Sequence, residues 1–178
     1  MSSKELCSFC RLPRADLNCQ VCTQSICRHC VQRLAEDAFT FLTTRPVELT
    51  HRDYCSRCYD EQVVPRLEQY NETLAKAKEV HYWPRTFRGN IPILKKGRTE
   101  IEVASGNDRD ETLLRLGFLA AEQGFNALVH GEIKSKKIRN FGYQKMEWSG
   151  SARPVIIDVE KLERQEFHEA HWRVLAHR

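Results

Sequence analysis

The feature that most constrains this chain is its set of eight cysteines, all within the first 58 of 178 residues. They form four Cys-x-x-Cys turns, Cys7/Cys10, Cys19/Cys22, Cys27/Cys30 and Cys55/Cys58, separated by 8, 4 and 24 residues. A turn of this kind directs two thiolates at one ion, so four of them supply two tetrahedral sites. Disulfides, or an iron–sulfur or redox role, are the competing uses of such cysteines. Four pairs in so short a segment favour two structural zinc ions. The other 120 residues contain no cysteine. That asymmetry points to two modules, a small one that needs staples and a larger one held by an ordinary core.

Pairing the turns is a separate question. Only four residues separate Cys22 from Cys27, which crowds these neighbouring turns if they share an ion. An interleaved arrangement relieves the crowding: Cys7, Cys10, Cys27 and Cys30 hold one ion, and Cys19, Cys22, Cys55 and Cys58 hold the other. It also ties the segment together, because neither site then closes without ordering the rest.

Composition is that of a folded chain, with 41% hydrophobic and 29% charged residues. No apolar run is long enough for a membrane-spanning helix, and residues 1–7 lack the apolar stretch of a secretory signal. These features, with cysteines arranged for metal, lead to an expected cytoplasmic location. The formal charge of +4 counts every cysteine as neutral. Eight thiolates and two divalent ions change it by −4, leaving a value near 0, so net charge by itself does not argue for nucleic acid.

The segment Cys19-Gln-Val-Cys22-Thr-Gln-Ser-Ile-Cys27-Arg-His-Cys30 and the closing turn Asp53-Tyr54-Cys55-Ser56-Arg57-Cys58-Tyr59 resemble the FYVE zinc finger and its relatives in Rab-effector proteins. The likeness covers about residues 4–62, and it implies the interleaved pairing. RING fingers share the crossed topology but match less well. A lipid-binding FYVE finger carries a basic cluster immediately before its third cysteine. Here that stretch is Arg14-Ala15-Asp16-Leu17-Asn18, while Arg28 and His29 stand after Cys27. The resemblance therefore implies the metal scaffold without the family's phosphoinositide-binding motif.

Between the third and fourth turns, Val31, Leu34, Ala35, Ala38, Phe39 and Leu42 recur at spacings that predict a helix to about Thr43, ended by Pro46. A second helix is expected over 59–80, with Pro65 kinking it or starting its main part. His51 reads as a surface or packing residue. Beyond Pro84, strands are expected at 91–94 and 101–104, then a helix capped by Asp108 or Asp110 and ended by Gly124. Further strands are expected at 125–133, 143–148 and 153–157, with 134–142 as a hairpin tip and a terminal helix over 158–175. The fold class is α+β: an interleaved two-zinc finger with a helical insertion over 1–62, a linker helix over 63–84, and a small mixed α/β domain over 85–178. Residues 99–157 weakly resemble small bacterial α/β domains of an oligomeric family named for heavy-metal binding. That likeness implies a fold, and leaves open self-association through this domain.

Signatures of catalysis are missing. There is no Gly-x-Ser-x-Gly, no phosphate-cradling glycine loop, and His168-Glu169-Ala170-His171 is one residue short of a metalloprotease helix. A non-enzymatic protein is expected. Residues 85–153 carry 13 basic and 8 acidic residues. Lys134, Lys136, Lys137, Arg139 and Lys145 lie close to Phe141, Tyr143 and Trp148 in sequence, a pattern that can meet nucleic acid by pairing phosphates and stacking bases. The same stretch could meet an anionic membrane or an acidic protein. The leading expectation is a zinc-stabilised protein that presents a binding surface to a protein partner. Arg14, Arg28, His29 and the basic hairpin are the candidate surface residues.

Overall fold

The structure, a computed structural model, describes residues 5–13, 15–140 and 143–164. Cα packing divides the chain into two compact units, Met1–Glu72 and Thr73–Arg178.

In the first unit, β1 (Leu17–Asn18) pairs antiparallel with β2 (Ser25–Ile26), and β3 (Val31–Arg33) pairs antiparallel with β4 (Asp53–Cys55). The β3–β4 register sets Val31 opposite Cys55, which brings the chain after the third cysteine pair beside the fourth. The helix expected over 31–43 is corrected by this pairing. Val31–Arg33 is strand, residues 36–41 form turns, and Phe39 has a φ of 61°, which no right-handed helix accepts. The apolar spacing is a true sign of burial but a false sign of helix. Phe39, Leu49 and Tyr54 are all buried, and Phe39 meets Tyr70 edge-on at 5.2 Å. Loop segments cover the finger where a helical stripe was expected. His51 packs edge-on against Tyr54 at 6.1 Å, in keeping with a packing role.

A helical run follows the fourth pair: α1 (Ser56–Cys58), a π-helical turn (Tyr59–Val63), then α2 (Val64–Lys78). Pro65 explains the wide turn. It has no N–H to give the carbonyl of Glu61, and the chain just before it widens so that the Val64 amide bonds the Tyr59 carbonyl.

The second unit is built on one five-stranded mixed sheet. Its centre is an antiparallel hairpin of β8 (Ala127–Asn140) and β9 (Tyr143–Ile157). β5 (His81–Pro84) runs parallel to β8 on one side. On the other side, β6 (Ile93–Lys96) and β7 (Ile101–Gly106) lie end to end along β9, both antiparallel to it. Helix α3 (Arg109–Glu122) crosses from β7 to β8 and covers one face. There Ile101, Val103, Leu116, Ala120, Leu128 and Ala152 form a buried cluster. The opposite face holds a second cluster of Ala127, Val129, Val155, Ile157 and Leu162, the last from a helical stretch at 159–164. Most of the terminal helix expected over 158–175, with His168 and His171, lies outside the described residues.

Three expectations are corrected in this unit. Residues 134–140 continue β8, so the hairpin is longer than the sequence pattern suggested, and 143–148 and 153–157 belong to one strand. The stretch 134–139 has no buried residue, so it shows no alternation of apolar and polar residues from which a strand can be read. The linker helix expected over 63–84 is also corrected at its end: α2 stops at Lys78 and His81–Pro84 is strand β5, a four-residue edge strand too short to show a period of its own.

Asp108 caps α3 by accepting the Glu111 amide at 2.7 Å. Burial raises the Glu111 pKa, but the Arg115 guanidinium and the Asn107 amide outweigh it, and the carboxyl is held below its usual range. A depressed carboxylate stabilises the fold above the unfolded pKa, near 4.3, and that contribution is lost as pH falls through the folded value. Glu111→Gln is therefore expected to lower stability at neutral pH while changing little in acid. Tryptophan fluorescence can follow this unit alone, since Trp83, Trp148 and Trp172 all lie within Thr73–Arg178. Gly117 faces the end of α2, where an added Cβ would stand 2.7 Å from the Ala77 carbonyl oxygen. Gly117→Ala gains about 1 kcal/mol in helix propensity. Backbone overpacking costs about 1–3 kcal/mol and cannot be relieved by a rotamer change, so a net loss is expected in urea unfolding.

Candidate metal centre

The first two knuckles repeat the same hydrogen bonds twelve residues apart. Cys7 N–H donates to the Leu12 carbonyl and Arg11 N–H to the Cys7 carbonyl, both at 2.9 Å. Cys19 N–H donates to the Gln24 carbonyl and Thr23 N–H to the Cys19 carbonyl, again both at 2.9 Å. In each knuckle the residue after the second cysteine is left-handed, with φ of 60° at Arg11 and 63° at Thr23. Closing the turn around two converging sulfurs requires that conformation, although neither residue is glycine.

The third and fourth pairs complete the sites differently. Cys55 stands at the end of β4 and caps α1, its sulfur accepting the Cys58 amide at 3.4 Å. Gln20 joins the second knuckle to this region: its side-chain oxygen accepts the amides of Arg52 at 2.6 Å and Asp53 at 3.3 Å, and its own backbone N–H donates to the Asp53 carbonyl at 3.0 Å.

The result is two four-cysteine metal-binding clusters with the interleaved pairing. Cys7, Cys10, Cys27 and Cys30 form one, and Cys19, Cys22, Cys55 and Cys58 the other, with the sulfurs of each within 4.8 Å of one another. Cys10 and Cys27, and likewise Cys22 and Cys55, stand 3.7 Å apart sulfur to sulfur. A disulfide needs about 2.05 Å. A tetrahedral ion with bonds of about 2.3 Å to sulfur sets neighbouring sulfurs about 3.8 Å apart. The spacing rejects disulfides at these pairs and fits a tetrahedral thiolate site.

Electrostatics point the same way. Burial raises Cys7, but the amides of Cys10, Phe9 and Cys27 outweigh it and bring the thiol down to about 6. Cys19 likewise falls to about 6, since the amides of Cys22, Cys55 and Val21 outweigh burial. The Cys27 sulfur, then burial and the sulfurs of Cys10 and Cys7, push Cys30 up to about 12. Burial and the surrounding sulfurs push Cys58 up as well. One thiolate in each cluster forms readily and the last forms with difficulty. A divalent cation at the centre removes that penalty, because its charge offsets the mutual repulsion of the ligands.

The other candidate residues are dispersed. Arg28 is exposed but paired with Asp16, Nε to Oδ2 at 2.6 Å, and His29 is exposed nearby in sequence. Lys134, Lys136, Lys137, Arg139 and Lys145 lie exposed along the β8–β9 hairpin, and Trp148 is half-buried in it. Arg14, Phe141 and the side chain of Tyr143 lie outside the described residues. The sequence reading overlooked Leu6, Phe9 and Leu12, which are 58%, 38% and 47% exposed on the first knuckle. Their signal was an apolar residue every third position around Cys7 and Cys10, easily read as filling for a small core.

Searches of protein families, curated proteins and solved structures return no match to this chain. Among the described residues, no helix is long and apolar enough to cross a membrane.

Cysteine alkylation tests the interleaving. Cys7→Ser/Cys10→Ser removes half of one cluster, and Cys27 and Cys30 are then expected to react while Cys19, Cys22, Cys55 and Cys58 stay the more protected set. Pairing of sequential turns would instead expose Cys19 and Cys22. Peptide mapping by mass spectrometry distinguishes the two patterns.

Proposed function

We infer that this chain is a non-catalytic interaction protein in which two zinc ions hold a finger that meets a protein partner through its first knuckle. The carrying observation is the exposure of Leu6, Phe9 and Leu12 on a turn fixed by two backbone hydrogen bonds and two metal-directed cysteines. Large apolar side chains held out on a rigid turn lose little freedom when a partner covers them, which favours binding.

The donor sets support a structural role. Zinc accepts four thiolates in a closed tetrahedron, and a site with four protein ligands keeps no open position for a reacting water. With eight cysteines assigned as ligands, none remains as a nucleophile. The resemblance to FYVE-type fingers is consistent with an adaptor working in the cytoplasm. Phosphoinositide recognition finds less support, because Asp16 occupies Arg28 in the region where a phosphate-binding cluster would be needed.

Two measurements test this reading. Metal analysis of the purified chain is expected to give two zinc ions per molecule, and Co2+ replacement the visible absorption of a tetrahedral thiolate site. A photo-reactive phenylalanine analogue at position 9 is expected to crosslink to a discrete protein in cells. Leu6→Ser/Leu12→Ser should abolish that crosslink with zinc content unchanged. Crosslinking that persists in this variant, or that reaches only lipid, would remove the first knuckle as the protein-binding surface.

A further inference from the structure

The β8–β9 hairpin extends past the rest of its sheet. Its register shifts between Val129 and Glu132, where His130 adopts a φ of 53° and β8 carries an extra residue. Such a bulge sharpens the twist of a strand pair and re-aims the residues beyond it. β5 accompanies β8 only as far as Gly131, and β7 accompanies β9 only from Trp148 onward. From the Lys136–Glu147 pair toward the tip, both outer edges are bare among the described residues. The projecting part is a two-stranded ribbon roughly 16 Å long over its described residues.

Charge is concentrated there. Residues 136–147 contain Lys136, Lys137, Arg139 and Lys145 against Glu147 alone, a net of +3, and Lys134 stands just before them at the base of the ribbon. Register assigns these cations to faces, because residues directly opposite in an antiparallel pair share one. Lys134, Lys136 and Lys145 project from one face, with Ile138 and Glu147. Lys137 and Arg139 project from the other, with Met146 and Trp148. Two of the cations have partners that water or phosphate can replace. Lys134 pairs with Glu132 at 3.1 Å, with side chains 68% and 40% exposed, and Lys145 donates to the Asn107 side chain at 3.3 Å.

The two-faced distribution discriminates between polyanions. A membrane or a flat acidic protein surface meets one face of a ribbon at a time and leaves the other face's cations in water. A groove walled by phosphates on both sides meets both. The strands of a ribbon stand about 4.8 Å apart, and it is about 10 Å thick through its side chains. The major groove of B-form DNA is about 12 Å wide and admits such an element, whereas that of A-form RNA is deep and narrow. We propose that the β8–β9 ribbon docks in the major groove of double-stranded DNA, with Lys134, Lys136 and Lys145 toward one phosphate wall and Lys137 and Arg139 toward the other. This surface is separate from the first knuckle and goes beyond the protein-partner reading; either can fail without the other.

The test uses the zinc-loaded full chain and a fluorescein-labelled DNA duplex of mixed sequence, with binding followed by anisotropy across a salt series. Neutralising three to five phosphates gives a log–log slope of about −3 to −4.5. Lys134→Ala/Lys136→Ala and Lys137→Ala/Arg139→Ala each empty part of one face. Each pair is expected to weaken low-salt binding by about tenfold or more and to flatten the slope by about 2. An RNA duplex of equal length should bind more weakly. All four side chains are exposed, and zinc content with tryptophan fluorescence verifies the variants' fold. Absence of binding at low salt overturns the proposal. So does a loss confined to one of the two pairs, or tighter binding to phosphatidylserine vesicles than to DNA.

Discussion

Four thiolates gathered within 4.8 Å repel one another strongly. At an effective dielectric near 20, two like charges about 4 Å apart cost about 4 kcal/mol, and four ligands contain several such pairs. The first unit depends on offsetting that repulsion with a cation. Its strands have two or three residues each, too few to hold a fold by hydrogen bonding alone. Interleaving makes the dependence collective. The first knuckle closes on the third cysteine pair, the second knuckle closes on the fourth, and the β3–β4 pairing runs between the two sites. Loss of one ion therefore loosens segments that the other ion needs.

The second unit rests on different physics. Both faces of its sheet carry buried apolar clusters, and α3 is fitted closely enough that Gly117 and Gly150 have little room for a side chain. It needs no metal for cohesion, which accounts for the absence of cysteine after residue 58. The ribbon belongs to this unit and the apolar knuckle to the other, so the two candidate surfaces are held by independent means.

Much of this could be read from residues alone. Cysteine spacing carried the ligand sets because the chemistry demands thiolates in pairs, and a four-residue gap argued against neighbouring turns sharing an ion. Asp108, Leu116, Ala120 and Gly124 marked α3, whose capping, burial and termination are local properties of sequence. The failures occurred where tertiary context overruled local pattern. The apolar residues from Val31 to Leu42 have helical spacing, yet the pairing of Val31 with Cys55 draws their start into a strand. Residues 134–139 form a strand without a core to face, so burial left no period in their side chains. The division of the basic residues between two faces was hidden for the same reason, since it depends on register.

Unpaired strand edges also offer backbone groups to any extended chain that comes near, including the same ribbon in another copy. Lysines and an arginine on both faces oppose that approach, because two such ribbons laid side by side bring like charges together before their backbones can bond. In concentrated salt this electrostatic guard weakens. A basic ribbon is thus also a gatekeeper, keeping the longest exposed strands of the second unit from becoming a template for aggregation.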